Sequence, residues 1–160
     1  GRADKRILAK AAGQWSECVK IGNAAVEPLI KALRSWNPDL VKALGEIGDQ
    51  RAVEPLVHAI SGYTKLIGNP TIKEFFIAAI GVLVKLGDER SVDVLIDSLS
   101  NCDGEIRILA AKALATFYHK SEISPEAKNK IEAQRQTMAA PRKVIHRDGE
   151  HSDRGIGVFL

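Results

Sequence analysis

The chain has 160 residues, 45% of them apolar and 27% charged, enough to bury one domain-sized core without metals or disulfides. Aromatics make up only 5% while Ala, Leu, Ile and Val abound, a balance that favours helix-on-helix packing. Lys and Arg total 23 against 20 acids, and a net charge of +3 excludes a strongly basic nucleic-acid binder by bulk charge.

In chain order, apolar periodicity predicts helices near 4–13, 15–21, 24–36, 38–47, 51–61, 71–87, 90–100, 104–119 and 125–138. The first carries Ile7, Leu8, Ala11 and Ala12. Three later helices repeat one stripe at i, i+3, i+4 and i+7. It reads Val26, Leu29, Ile30, Leu33, then Val53, Leu56, Val57, Ile60, then Val92, Leu95, Ile96, Leu99. Pro28 and Pro55 fit the first turns of their helices, where the missing N–H has no intrahelical partner. Asn37, Asn69 and Ser124 each precede a proline and can cap a helix; Asp103 caps another. Gly22, Gly48 and Gly87 read as helix stops.

The chain therefore repeats itself. AVEPLIKAL (25–33) recurs as AVEPLVHAI (52–60) and more loosely as SVDVLIDSL (91–99), each after a glycine-terminated segment. The spacings of 27 and 39 from Val26 to Val53 to Val92 bracket the period of two-helix solenoids. The longer interval holds an insert, Gly62–Asn69, with Tyr63 and Lys65. The run Phe75–Val84 is apolar all round, so its helix should be covered on both sides by neighbouring pairs and by the insert. Phe75 and Phe76 point about 100° apart on a helix. One is expected in the inter-repeat core, the other under the insert or at a partner contact. At ten residues the run is too short to span a bilayer, which takes roughly 20. Trp15 and Trp36 are expected to fill gaps where repeats of unequal length meet. The 125–138 helix, sparse in apolar residues, suits a polar cap, and residues 141–160 read as an irregular or docked tail after a 1–140 solenoid. The opening Gly1-Arg2, without Met, suits a piece of a longer protein.

These segments, with DGEIRILAAKAL (103–114), resemble the HEAT-like repeat family of the type named after phycobilisome lyases. The resemblance covers about residues 15–120 and places the family's Asp and Arg on Asp103 and Arg107. It departs at 72–83, where Ile72 and Phe76 stand in those positions and no inter-repeat polar ladder is expected. It implies an all-α fold, a short right-handed α-solenoid of about four helix pairs, and a scaffold for protein–protein contacts.

No catalytic or cofactor motif competes with that reading. The four histidines (His58, His119, His146, His151) are never followed by Glu, unlike the metal ligands of HEAT-like iron hydroxylases. There is no nucleophile elbow, P-loop or paired-histidine zinc helix, and Gly155-Ile156-Gly157 is no dinucleotide fingerprint. Asp49 and Asp88 follow helix-ending glycines, where a turn accounts for them. The two tryptophans are too isolated for the aromatic cradle of a HEAT-like DNA glycosylase. Two cysteines, Cys18 and Cys102, form no disulfide framework and have no metal spacing; they read as small hydrophobes in a reducing cytoplasm.

The expected protein is thus a cytoplasmic, non-catalytic scaffold without a cofactor, off the membrane, binding another protein or peptide. By the resemblance, second helices line the concave face. That turns the column Glu27, Glu54 and Asp93 inward, with Lys31, His58 and Asp97 four residues on and Arg34 at the rim. A persistent acidic column suits a basic or mixed-charge peptide and repels phosphate backbones. The alternative function is an accessory subunit of a bilin lyase or a related protein-modifying chaperone, which the family name suggests. Nucleic-acid binding would need Lys and Arg along the inner face.

Overall fold

The computed structural model describes residues 15–61, 69–101 and 103–139. The predicted 4–13 helix, most of the insert, Cys102 and the C-terminal tail lie outside the described residues. Within them are eight α-helices and no strands. They are α1 (Trp15–Ile21), α2 (Asn23–Lys31), α3 (Pro38–Ile47), α4 (Val53–Ser61), α5 (Pro70–Leu86), α6 (Val92–Ser98), α7 (Gly104–His119) and α8 (Pro125–Ala139). The odd-numbered helices stack on one another as one layer and the even-numbered helices form the second, giving four helix pairs. This is an all-α solenoid.

Local chemistry sets the boundaries. Asn37 and Asn69 accept hydrogen bonds from the N–H groups of Asp39 and Thr71, both at 2.9 Å, with proline at the first helical position. Asp103 caps α7 by accepting from Glu105 N at 2.9 Å. Gly48 and Gly87 close α3 and α5 in the left-handed conformation, at φ 74° and 71°, which a side chain would strain. Three predicted helices are divided. Residues 24–36 become α2 plus a 3-10 turn (Leu33–Ser35) that ends at Trp36, itself left-handed at φ 55°. Residues 51–61 and 90–100 begin instead as 3-10 turns (Gln50–Ala52, Glu89–Ser91) that Asp49 and Asp88 cap. Because α2 starts at Asn23, Pro28 falls in its second turn rather than its first.

The core is the sum of the repeated stripes. Val26, Leu29, Leu33, Val53, Leu56, Ile60, Val92, Leu95 and Leu99 are all buried. The i+4 member of each stripe, Ile30, Val57 and Ile96, is only half-buried and marks its solvent edge. Phe75 and Phe76 are both buried, so neither is left at the surface for a partner contact; whether one lies under the insert falls outside the described residues. Because α5 sits mid-stack, with α3 and α7 on either side and α4 against it, two directions 100° apart both meet protein. Trp36, in the turn after the first pair, and Phe75 of the third pair pack edge to face, with ring centroids 5.0 Å apart. At α3 and α5 the backbones come close: a Cβ added to Gly45 would lie 2.5 Å from Val82 Cγ2. Ala127 and Ile131 anchor α8, whose other faces are largely polar, as a cap requires.

Two substitutions test this core. Leu56→Ala should cost roughly 2–5 kcal/mol in urea unfolding, since a fully buried side chain leaves a cavity between pairs. Ser91 is buried, and among the described residues its hydroxyl makes no hydrogen bond. Ser91→Ala should therefore be neutral or stabilising by up to about 1 kcal/mol, measured the same way.

Candidate interaction surface

The residues singled out in the sequence lie along the outward side of the second-helix layer. Glu27 and Lys31 are on α2, Glu54 and His58 on α4, Asp93 and Asp97 on α6, and Arg34 in the turn after α2. All seven are exposed. The register that aligns their helices thus aligns them too.

They do not form an uninterrupted acidic column. Each acid meets a cation from the following repeat. Arg51 reaches Glu27 at 3.5 Å, Arg90 reaches Glu54 at 3.7 Å, and Lys130 of α8 binds both Asp93 oxygens at 3.1 and 3.2 Å. Two of these pairings have a local cause in two GD-x-R segments, Gly48–Arg51 and Gly87–Arg90. Asp49 and Asp88 cap their 3-10 turns by accepting the N–H of Arg51 and Arg90, each at 2.9 Å. The same carboxylates take the guanidinium side-on: Arg51 Nη2 to Asp49 Oδ2 and Arg90 Nη2 to Asp88 Oδ2 are both 2.7 Å. Held in this fork, each arginine points its remaining nitrogen at the preceding repeat, and Arg51 Nη2 also donates to Asn23 O at 3.1 Å. Asp49 and Asp88 are therefore more than turn formers. The signal for this was present as the repeated aspartate-x-arginine spacing.

Further cross-repeat bonds flank the ladder. Gln50 Nε2 donates to Leu86 O at 3.0 Å, and Glu89, at the equivalent position, accepts from Ser124 N at 2.9 Å. On the first-helix layer, Lys73 bridges α5 to α7 through Asp103 at 3.0 Å and Glu105 at 2.8 Å. A polar link thus exists where Ile72 and Phe76 led to none being expected, because Lys73 supplies the charge one residue along. Arg107 donates to Asn101 O at 2.8 Å, bracing the turn into α7. His58 lies 3.4 Å from Glu54 within its own helix.

These contacts polarise the groups in them. The Arg51 guanidinium, then the Arg51 backbone N–H, hold the Asp49 carboxyl below its ordinary value of 3.8. Arg90 does the same for Asp88, against partial desolvation. The hydrogen bond to Asp93 holds Lys130 above its usual value, and bonds to Glu105 and Asp103 do so for Lys73. Burial, with a smaller push from Glu17, raises the Cys18 thiol, a free buried cysteine. Among the described residues no group of His, Cys, Asp or Glu is arranged to hold a metal ion. Nor is any helix among them long and apolar enough to cross a membrane.

The HEAT repeat family model matches residues 26–115. This chain belongs to the HEAT repeat family. HEAT repeats generally mediate protein–protein interaction and are typically non-catalytic scaffolds. No curated protein matches the chain. In HEAT terms, each described unit here is one first helix and one second helix, and in the two middle units the turn between them carries the charged fork that reaches the preceding unit.

The fork predicts a direction of pH dependence. Asp49 and Asp88 have lowered folded values, so their stabilisation is fully present above the unfolded value of 3.8. It is lost as pH falls through the lower folded values. Thermal melts between about pH 6 and pH 2 should show the wild-type midpoint falling more steeply than that of Asp49→Asn/Asp88→Asn. Parallel curves would mean that the fork contributes nothing to folding.

Proposed function

We propose that this chain is a non-catalytic scaffold that grips a basic or mixed-charge protein segment along its second-helix face, the concave face of the solenoid. One observation carries this reading: in three successive units, two carboxylates share a single cation. Arg51 is held between Asp49 and Glu27, Arg90 between Asp88 and Glu54, and Lys130 between Asp93 and Glu126. Six carboxylates against three cations leave this ladder with three negative charges, although the whole chain is at +3. The inner acids, Asp49 and Asp88, are largely covered, while Glu27, Glu54, Asp93 and Glu126 keep exposed oxygens. A partner's Lys or Arg side chains can complete those oxygens at the spacing of the units, with Asp97 and His58 alongside. Because the ladder's own cations sit between the acids, the surface also offers donors to a partner's carboxylates. Mixed-charge segments therefore fit better than uniformly basic ones, and phosphate backbones fit poorly.

The likeness to lyase-type repeats rests on the repeated AVEPL segments and on DGEIRILAAKAL (103–114), and the capping by Asp103 and bracing by Arg107 support that finer placement within the family. Cys18, a free buried cysteine, supports a reducing, cytoplasmic setting.

Fluorescence anisotropy with a labelled, unstructured peptide of alternating Lys and Glu tests the surface directly. Wild-type protein should bind it, less tightly as salt rises from about 50 to 300 mM. The triple variant Glu27→Gln, Glu54→Gln, Asp93→Asn should keep its helical circular dichroism and lose at least about tenfold in affinity, or ~1.4 kcal/mol. Undiminished binding by the variant, or tight salt-sensitive binding of wild-type protein to random duplex DNA, would overturn the assignment.

A further inference from the structure

The outer acids of the ladder are not equally open. The side chains of Glu27 and Glu54 are 57% and 53% exposed, whereas Asp93 and Glu126, which share Lys130, are 71% and 84% exposed. Lys130 and Glu126 belong to α8, the last described helix, and the chain continues from α8 at Ala139. The least covered rung is thus the one nearest that point of departure.

The sequence that follows carries the charges such a surface accepts. Residues 140–160 lie outside the described residues, and their sequence sets Arg142, Lys143, Arg147 and Arg154 against Asp148, Glu150 and Asp153. Three acids would be repelled by an uninterrupted acidic column. Here they fall between Arg147 and Arg154, opposite in sign to Arg51, which reaches from the α4 turn to Glu27.

The cations also come in the order of the rungs, at workable reach. The helix rises ~14 Å from Lys130 to Ala139. With neighbouring helices ~8–10 Å apart, the rungs at Asp93, Glu54 and Glu27 lie at most ~14, ~23 and ~32 Å from Ala139. An extended chain covers ~3.3 Å per residue, which carries Lys143 out to ~13 Å, Arg147 to ~26 Å and Arg154 to ~50 Å, before their own side chains are added. A tethered segment acts at an effective concentration on the order of millimolar, so contacts too weak to hold a free peptide suffice. We propose that residues 142–154 occupy the ladder in cis, as a self-ligand that an incoming segment must displace. The inference rests on the reading of the ladder as a peptide site and names what holds that site in the free protein.

Anisotropy with the labelled Lys/Glu peptide and the full chain tests it. An occupancy of about two-thirds to nine-tenths by the tail weakens an outside segment about three- to tenfold. The tail variant Arg142→Gln, Lys143→Gln, Arg147→Gln, Arg154→Gln should recover that factor at about 50 mM salt, and the gain should vanish near about 300 mM. A control, Lys42→Gln, Lys85→Gln, Lys112→Gln, neutralises exposed lysines of the first helices and should leave affinity unchanged. Carbodiimide coupling of the wild-type chain should join Lys143, the one lysine in 140–160, to Asp93 or Glu126, and not to exposed Glu46. Equal binding by the wild-type and tail-neutralised chains would overturn the self-ligand and leave the peptide site standing, whereas no binding by either would overturn both. A gain matched by the lysine control would be an effect of bulk charge and would overturn the self-ligand equally.

Discussion

A helix pair of this kind has more apolar surface than its own two helices can cover. Val53, Leu56 and Ile60 on α4 are fully enclosed only because the preceding and following pairs close over them. Burial is therefore a nearest-neighbour property, with stability accumulating along the stack rather than in one centre. The same constraint explains why α5, the central first helix, tolerates apolar residues all round. It also explains why α8 needs only Ala127 and Ile131 to dock. Where the constraint is not met, on α7, Ile108 and Tyr118 are left exposed.

Nearest-neighbour packing alone leaves the rotation between units loosely specified, since aliphatic stripes can slide. The fork at Asp49–Arg51 and Asp88–Arg90 supplies direction. Water screens exposed ion pairs and holding two long side chains in one geometry costs entropy, so the ladder is a weak source of stability. Its geometry is more demanding than its energy. A guanidinium locked side-on to the aspartate of its own turn has one remaining direction for its free nitrogen, and that direction meets the preceding helix. The resulting surface alternates in sign along the stack and keeps an acidic surplus. Recognition and register are thereby built from the same side chains.

One ladder serves two proposed ligands, and what separates them is concentration. An outside segment arrives at the concentration it has in solution, whereas residues 142–154 are joined to α8 and act at a fixed local one, on the order of millimolar. Both contacts are ionic and exposed, so both form and break with salt. A surface with covered inner acids and open outer ones suits such exchange, because a ligand on the outer oxygens leaves the inner forks in place.

Much of this was legible in the sequence, because local rules decide it. The stripes at Val26, Val53 and Val92, the caps at Asn37, Asn69 and Asp103, and the stops at Gly48 and Gly87 each depend on residues within one turn. They determine the helices, their repetition and the solenoid class. The exposure of Glu27, Glu54 and Asp93 follows from the same periodicity. The tertiary structure alone decided what those acids meet, since Arg51 and Arg90 are distant in sequence from Glu27 and Glu54 and come near only when one unit stacks on the next. It likewise decided that Phe75 and Phe76 are both buried, because helical spacing gives directions around an axis and says nothing of how many neighbours surround it. Periodicity fixes which side of a helix is apolar; only the stacking of pairs fixes which sides are covered.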